Sequence, residues 1–393
     1  MAGLAWMTVP LGLGLIAVAM LDVFLTVLHV QVESPISNRV NRQLWRLMLA
    51  ASHSLPDRSR DEILGWGAPL MIGGILMFWS ILYVVGFALV YLPFMRDATA
   101  FSVSEAGPGS DLGDALYFSA TSFVTTGYGD IVPVHPLVRL LALLEGGLGL
   151  TTLSLSVTYL LSVYPLIGRK MSLAQSLNQE TGGRADAVIL AQRYVCSGRY
   201  EALAQRLSGI NDALLQLGQS HALYPVLYFV RPREGHLSFV RVLAVVQGIV
   251  ATLRYGLDRR AYADVVTDPR LLILEEGLLS TLHMLAESSH LAPARATPAD
   301  LEAASHDYVA LLDALREHGI EAASPDDRAA REGHNRFRAA TDLYLRAYAE
   351  NAGYHITVAR AFYTRRDRNT ALVGEAERQR GLAEDDDRSQ AVS

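Results

Sequence analysis

Between two long apolar runs of this 393-residue chain lies the stretch Thr121-Ser122-Phe123-Val124-Thr125-Thr126-Gly127-Tyr128-Gly129, followed by Asp130. Glycine at positions 127 and 129 permits backbone angles that a Cβ atom forbids, so an extended segment here can aim successive carbonyls at one axis. The Thr125 hydroxyl is expected to point to the same axis, and Tyr128 to point away from it and pack behind. Four copies around that axis would replace the water shell of a dehydrated monovalent cation.

A short amphipathic helix is predicted directly before this stretch, from Asp111 to Val124, with Ser110 or Asp111 as its N-cap. The carboxyl-terminal end of a helix carries partial negative charge. We expect that end to face the membrane interior and to favour a cation there.

The run Thr125-Thr126-Gly127-Tyr128-Gly129-Asp130 resembles the selectivity filter of the potassium-channel family, and the resemblance covers about residues 67 to 168. It implies a pore domain in which K+ is the permeant ion and no other cofactor is needed. The implied K+ ligands are Thr125, Thr126, Gly127 and Tyr128, with Gly129 completing the filter and Asp130 at its outer edge.

The same resemblance implies roles for residues of the pore helix. Tyr117 and Phe118 match the aromatic pair that braces the filter tyrosine in the family. Thr121 stands where some members carry a glutamate, so a carboxyl partner for Asp130 is missing from that position. Support for the filter is therefore expected from Tyr117, Phe118, Thr121 and Glu145.

Composition narrows the class of protein. With 51% hydrophobic residues the chain is too apolar for an ordinary soluble protein, and the apolar excess lies before residue 170. A net charge of -6 indicates no nucleic-acid partner. The single cysteine, Cys196, excludes an intrachain disulfide and a cysteine metal cluster, and the histidines after residue 170 show no ligand spacing.

Three segments are long and apolar enough to span a bilayer, namely residues 7–28, 67–95 and 137–167. The predicted fold is an all-α membrane protein with three transmembrane helices and a re-entrant pore loop per subunit, a helical cytoplasmic domain and a homotetrameric pore. Its predicted regions are a first transmembrane helix (1–35), a cytoplasmic interfacial helix and loop (36–66), the pore domain (67–168), a helical cytoplasmic domain (169–365) and a disordered charged tail (366–393).

Basic residues predict the orientation. The loop after the first span is rich in arginine, whereas residues 96–130 carry one arginine against several acids. The positive-inside rule therefore places that loop and the C-terminal region in the cytoplasm and the filter outside, in a multi-pass protein of the plasma (inner) membrane. Residues 36–52 form an amphipathic helix that either lies in the inner headgroup plane or packs its apolar face on the C-terminal domain.

Two ionisable residues fall inside the predicted spans, where charged side chains are expensive and often functional. Glu145 is placed level with the back of the filter. It is expected either to hydrogen-bond pore-helix groups such as Ser122 or Thr121 and tune filter stability, or to snorkel towards water. Asp22 is expected to pair with His29 or with an arginine of the interfacial helix.

The last span carries the candidate gate. Gly149 matches the place of the family's gating glycine, and it serves either as a hinge or as a site of close helix packing. Below it, the family register turns Leu153, Val157 and Leu161 to the pore, where they could close it by dewetting. A competing register exposes Thr151, Ser154 and Thr158 instead.

The C-terminal region has the pattern of a helical domain. Helices are predicted near residues 185–197, 201–217, 237–256, 269–287, 299–318 and 327–350, with Gly218 ending the second. The apolar run at 242–252 is too short to span and is predicted to be a core helix. No dinucleotide-binding or voltage-sensor pattern is present in the sequence, and an unknown ligand of this domain is left open.

The function predicted from these features is passive, potassium-selective conduction across the lipid bilayer through a homotetrameric, carbonyl-lined filter, gated by the inner helix and modulated by the cytoplasmic domain. No catalytic residues are expected. The alternatives are a non-selective monovalent cation channel and a membrane-anchored sensor with a ligand-binding cytoplasmic domain. The first usually lacks the filter tyrosine, here Tyr128.

Overall fold

A computed structural model describes residues 6–27, 34–52, 55, 57–97, 99–103, 111–232, 234–291 and 296–354. The chain forms two compact units. The membrane unit comprises Met1–Pro165 together with Phe229–Arg231, and the C-terminal unit comprises Leu166–Tyr228 and Pro232–Ser393. The predicted tail, the predicted N-cap Ser110 and the expected partner His29 lie outside the described residues.

The helices of the membrane unit follow the apolar pattern of the sequence closely. They are α1 (Thr8–Val27), α2 (Pro35–Ser52), α3 (Asp57–Gly65), α4 (Gly67–Met95), α5 (Asp111–Phe123) and α6 (Pro136–Glu180). Of these, α1, α4 and α6 are long and apolar enough to cross a membrane. The short helix α3 was not predicted, because its nine residues show no apolar periodicity.

Helix α6 is longer than the predicted span. It continues beyond residue 167 to Glu180, although Pro165 lies inside it. The extension is helical because its apolar residues keep a helical spacing that buries one face, with Leu173, Ala174 and Leu177 all buried. The last helix of the membrane unit and the first helix of the C-terminal unit are therefore one continuous element.

One core holds the membrane unit together. Aromatic and aliphatic side chains of α1, α4, α5 and the start of α6 pack into it, including Val23, Trp79, Tyr91, Phe118 and Val138. Helix α5 is thereby fixed against α4, which sets the position of the stretch that follows it.

Two short strands interrupt the predicted all-α fold. Strand β1 (Phe101–Val103) pairs antiparallel with β2 (Ile131–Pro133), with Phe101 opposite Pro133 and Val103 opposite Ile131. Strands of three residues carry too little alternation to be read from sequence. The pairing of β1 with β2 connects the segment that follows α4 to the segment that follows residues 121–130, which are called the filter stretch below.

The C-terminal unit is helical, as expected. Besides the end of α6 it contains α7 (Ala187–Val195), α8 (Tyr200–Leu223), α9 (Phe239–Val250) with a π-helical turn at Ala251–Gly256, α10 (Ala263–Val266), α11 (Pro269–Ser288), α12 (Pro298–Glu317) and α13 (Arg328–Asn351). The segment Phe239–Gly256 is apolar enough to cross a membrane, but 83% of it is buried inside the protein. It is the core helix that the sequence predicted.

The predicted end of α8 at Gly218 is wrong, because the helix continues to Leu223. A Cβ atom on Gly218 would lie 2.8 Å from Met284 Cε and 3.3 Å from Thr281 Cγ2. The glycine therefore allows a close crossing of α8 with α11 and does not end the helix.

Candidate functional site

The start of the filter stretch is tied back to the pore helix α5. The Thr126 N–H donates to the Thr121 carbonyl at 2.9 Å, and the Gly127 N–H donates to the same oxygen at 3.4 Å. In a planar trans peptide the N–H and the preceding C=O point in opposite directions. The carbonyls of Thr125 and Thr126 therefore point away from α5.

The backbone of the stretch alternates in handedness. Thr125, Gly127 and Gly129 have φ angles of 59°, 52° and 80°, whereas the intervening Thr126 and Tyr128 do not have positive φ. Alternating rotations keep successive carbonyls on one side of the segment, which is the arrangement of a carbonyl-lined ion path. Positive φ at the β-branched Thr125 is strained, and such strain is found at functional sites.

The filter stretch lies on the surface of the single chain. Val124 is 67% exposed and Tyr128 is 73% exposed. The expected packing behind Tyr128 is therefore not supplied by the described part of its own chain.

Asp130 has a partner that the sequence did not predict. The Tyr117 hydroxyl donates to Asp130 Oδ2 at 2.7 Å, and the Ile131 N–H donates to Asp130 Oδ1 at 3.1 Å. The Tyr117 hydrogen bond lowers the pKa of Asp130. Tyr117, one position before Phe118, thus holds the Asp130 side chain in place.

Phe118 does not reach the filter tyrosine of its own chain. Its ring is buried between Tyr91 and Phe101, with ring centroids 5.1 Å from each. The aromatic pair of the pore helix is therefore split, since Tyr117 serves the filter edge and Phe118 anchors α5 to the core.

Glu145 is fully buried behind the pore helix, which excludes snorkelling. It accepts hydrogen bonds from the Ser119 hydroxyl and from the Tyr91 hydroxyl, the latter at 2.9 Å. The predicted partners were wrong in detail, because Thr121 donates its hydroxyl to the Phe118 carbonyl instead. Glu145 thus links α6 to both α4 and α5, and sequence spacing could not identify Tyr91.

Gly149 is a point of close packing. A Cβ atom there would lie 2.0 Å from the Phe123 carbonyl oxygen at the end of α5, and a Cβ on Gly146 would lie 3.4 Å from the Ser122 carbonyl. Helix α6 runs through both glycines without a break. These contacts favour the packing role of Gly149 over the hinge.

The predicted gate residues lie on an open face of α6. Val157 is 49% exposed and Leu161 is 69% exposed. The face of the competing register, with Thr151, Ser154 and Thr158, is exposed as well.

Asp22 is buried and joins three elements. It accepts hydrogen bonds from the hydroxyls of Ser34 and Ser37, from the Ser37 N–H at 3.4 Å and from Trp79 Nε1 at 2.7 Å. Neither serine nor the tryptophan was predicted as its partner. Because Ser37 lies in the first turn of α2, the carboxylate also meets the positive end of that helix.

Helix α2 is packed on protein along one side. Its buried residues are Ser37, Asn41, Trp45, Met48 and Ser52, while Leu47 of the predicted apolar face is 67% exposed. The Trp45 ring packs 5.3 Å from the ring of Phe229 within the membrane unit. Helix α2 thus packs on the membrane unit through this side, a contact that neither alternative for its apolar face predicted.

Comparisons with known proteins agree with this geometry. Residues 74–164 match the family model described as "Ion channel". The chain is 24% identical, over 291 residues, to "Uncharacterized membrane protein YdjJ" of Bacillus subtilis (strain 168), which covers 73% of this chain and 80% of the relative. No solved structure shows a significant match. Residues 74–164 of this membrane protein are thus similar to the domains of that ion-channel family.

Proposed function

We propose that the protein is a potassium-selective channel that conducts K+ passively across the lipid bilayer. The observation that carries the proposal is the alternation of positive φ at Thr125, Gly127 and Gly129, with the Thr125 and Thr126 carbonyls turned away from α5. Such a segment offers one row of carbonyl oxygens that replace water around a monovalent cation. The K+ ligands are Thr125, Thr126, Gly127 and Tyr128, with Gly129 at the end of the row.

The active channel is a homotetramer in this proposal, because one row of carbonyls encloses an ion only when copies surround it. The exposure of Val124 and Tyr128 on the single chain supports this, since it leaves both side chains free to contact neighbouring copies. The mass of the purified protein in detergent tests it. A monomer or dimer that conducts would contradict the tetramer.

Rubidium uptake into liposomes tests selectivity. Purified protein in liposomes loaded with K+ is expected to take up rubidium, to be blocked by barium and to fail when internal K+ is replaced by Na+. Uptake that ignores the identity of the internal cation would support a non-selective cation channel instead. No uptake at all would favour the membrane-anchored sensor.

A matched pair of glycine variants separates the filter from general stability. Gly127→Ala places a Cβ on a residue with φ of 52°, so uptake is expected to fall to the level of empty liposomes. Gly73→Ala is the control, because a Cβ there meets nothing within 4 Å in the exposed part of α4. Equal uptake by both variants would contradict the role of the stretch as the ion path.

The gate is proposed to lie on α6 at Val157 and Leu161, where an apolar ring can close the path by dewetting. Their exposure on the single chain supports this, because pore-lining residues must be free of their own subunit. Val157→Asn with Leu161→Asn is expected to raise basal uptake. Unchanged uptake, with Thr151→Val and Ser154→Val altering it instead, would favour the competing register.

The C-terminal unit is proposed to be cytoplasmic, in the plasma (inner) membrane of the cell, on the evidence of the arginine distribution. Cys196 provides a test, since it is the single cysteine of the sequence and is exposed. A membrane-impermeant maleimide is expected to label it only after the cells are permeabilised. Labelling in intact spheroplasts would reverse the orientation.

A further inference from the structure

The continuation of the inner helix beyond the membrane unit forms one wall of a cleft. Within the C-terminal unit, the end of α6 and the middle of α8 enclose about 290 Å³. Arg169, Ser172 and Ser176 line it from α6, and Arg206, Gly209 and Gln216 line it from α8. Two leucines form an apolar floor, Leu173 and Leu217, and both are buried.

One arginine of the cleft is held in place. Arg206 Nε lies 2.8 Å from the Glu180 carboxylate, and its Nη2 donates to the Ser176 hydroxyl at 2.6 Å. These bonds use one side of the guanidinium, so Nη1 is left as a donor without a partner in the described part of the chain. A positioned guanidinium loses less side-chain entropy when it binds a ligand than a free one does.

Further donors in the cleft are also unused. Across the described residues 111–232, 234–291 and 296–354, the exposed side chains of Arg169, Ser172 and Gln216 have no hydrogen-bond or ion-pair partner. Arg206 and Gln216 lie about 15 Å apart along α8, so one oxyanion meets only part of this set, and the guanidinium groups are its strongest donors. Arginine forks bind phosphate and carboxylate oxygens with charge-assisted hydrogen bonds.

We propose that this cleft binds a phosphate group carried by a small molecule or by a lipid headgroup. A guanidinium group of the cleft would bind the phosphate, and the apolar floor accommodates the short carbon portion of a phosphate ester. The volume lies at the small end of the range for ligand pockets, which excludes a dinucleotide. The cleft begins at Leu166, where the C-terminal unit begins along the continuous helix α6.

A ligand here would bridge α6 and α8. Because α6 is the inner helix of the pore domain, binding would bias any movement of that helix if its affinity differs between the two positions. This consequence for conduction rests on the proposed channel function. The binding itself does not, so it is tested by a measurement that needs no ion flux.

Gly209 provides a specific way to block the cleft. A Cβ atom built on it meets nothing within 4 Å, although the residue lines the cleft. Gly209→Phe therefore starts without a clash at Cβ and places a ring at the cleft, and Gly209→Ala is the matched control that leaves the space open. Alanine in the middle of a helix is also tolerated better than glycine.

Binding is measured on the full-length purified protein. Thermal unfolding is followed with inorganic phosphate against chloride at equal ionic strength, and in nanodiscs of phosphatidylcholine with or without phosphatidylglycerol. Phosphate also stabilises proteins non-specifically, so only the part of the shift that Gly209→Phe removes counts as binding. The apparent Kd for phosphate is expected to rise roughly tenfold or more in Arg169→Gln, which loses charge-assisted hydrogen bonds, and in Gly209→Phe, which blocks the cleft. It is expected to stay nearly unchanged in Gly209→Ala.

The two sources of phosphate give different outcomes. A shift with inorganic phosphate that Gly209→Phe abolishes supports a soluble phosphate ester, and a shift only with phosphatidylglycerol that Gly209→Phe abolishes supports a lipid headgroup. No shift with either probe, or the same shift in Gly209→Phe as in Gly209→Ala, would overturn the proposal. If the protein binds phosphate but takes up no rubidium, the proposed channel function is wrong and the proposed phosphate binding in the cleft still holds.

Discussion

Two buried carboxylates of the membrane unit, Asp22 and Glu145, are held in similar ways by different kinds of donor. Asp22 accepts from two serine hydroxyls and from Trp79, and Glu145 accepts from one serine hydroxyl and from Tyr91. No cationic side chain is among the partners recorded for either in the described residues. The two sites differ in whether their donor groups can also accept a hydrogen bond.

The donors around Asp22 include two that can only donate. The Trp79 indole N–H faces Oδ2 at 2.7 Å and the Ser37 backbone N–H faces Oδ1 at 3.4 Å, so both oxygens accept hydrogen bonds. The position therefore favours a side chain with two acceptor oxygens.

The donors around Glu145 are both hydroxyls, which can donate or accept. Ser119 has one hydrogen but two acceptors within reach, Glu145 Oε1 and the Val84 carbonyl at 2.9 Å. If the group at position 145 donates to Ser119, then Ser119 can donate to Val84, and every polar atom has a partner. The Glu145 site therefore fits a side chain with a hydrogen of its own, whereas the Asp22 site does not.

Asp22→Asn is expected to have the largest effect. In one orientation the amide N–H₂ meets the Trp79 N–H, which cannot accept; in the other it takes the place of Oδ1, the acceptor of the Ser37 N–H, whose other acceptor is the Ser34 hydroxyl at 3.3 Å. An unmatched buried donor and the lost charge at the start of α2 together lower the free energy of unfolding by about 2 to 4 kcal/mol. Chemical denaturation of the purified protein in detergent measures this.

Glu145→Gln is the matched control for that experiment, because it makes the same chemical change at the other buried carboxylate. Equal losses of stability at the two sites would show that the loss of charge, and not the kind of donor, governs both.

Trp79→Phe is expected to have the second largest effect, because it removes the N–H donor and keeps most of the buried ring. A hydrogen bond to a charged group contributes about 1.5 to 3 kcal/mol to stability. In the Trp79→Phe background, an asparagine at position 22 can turn its amide nitrogen towards the Ser37 hydroxyl without conflict. Asp22→Asn should then cost less by at least about 1 kcal/mol, which a double-mutant cycle measures. Additive losses would contradict the contact.

Parts of this comparison were predictable from the sequence. The positions of Asp22 and Glu145 inside apolar runs follow from composition alone, and so do α4 and α5 and the glycines of the filter. Local sequence determines these features. A transmembrane span requires only sufficient length and apolarity, and the proposed filter requires glycines that permit its backbone angles.

The partners of the two carboxylates were not predictable. Trp79 and Tyr91 are distant in sequence from the acids they contact, and a packed core decides which side chains meet. The prediction that Gly218 ends a helix was wrong for the same reason. From sequence alone, a glycine at a helix crossing cannot be distinguished from a glycine that ends a helix. The extension of α6 was missed because the predicted boundary followed the end of the apolar run and ignored helical spacing.

Tyr91→Phe is expected to have a smaller effect than Trp79→Phe. The loss removes one hydroxyl donor from Glu145 and retains the stacked ring, including its contacts with Phe87 and Phe118. A hydrogen bond between neutral groups contributes about 1 kcal/mol, which is the expected loss if position 145 carries a hydrogen. A loss as large as that of Trp79→Phe, measured by the same denaturation, would indicate that Glu145 is held as a carboxylate.

Glu145→Gln is expected to have the smallest effect, a change in the free energy of unfolding within about 0.5 kcal/mol, because the substitution keeps size and completes the hydrogen bonds. The glutamine N–H₂ donates to the Ser119 hydroxyl, Ser119 donates to the Val84 carbonyl, and the Tyr91 hydroxyl donates to the glutamine oxygen. Rubidium uptake and barium block should also be retained, since the pore helix keeps its attachment to α6.

Glu145→Leu supplies the contrast, because it leaves the Tyr91 hydroxyl without its acceptor. If glutamine and leucine at position 145 destabilise the protein equally, the hydrogen count at Ser119 does not govern this site, and support of the filter by Glu145 depends on its negative charge.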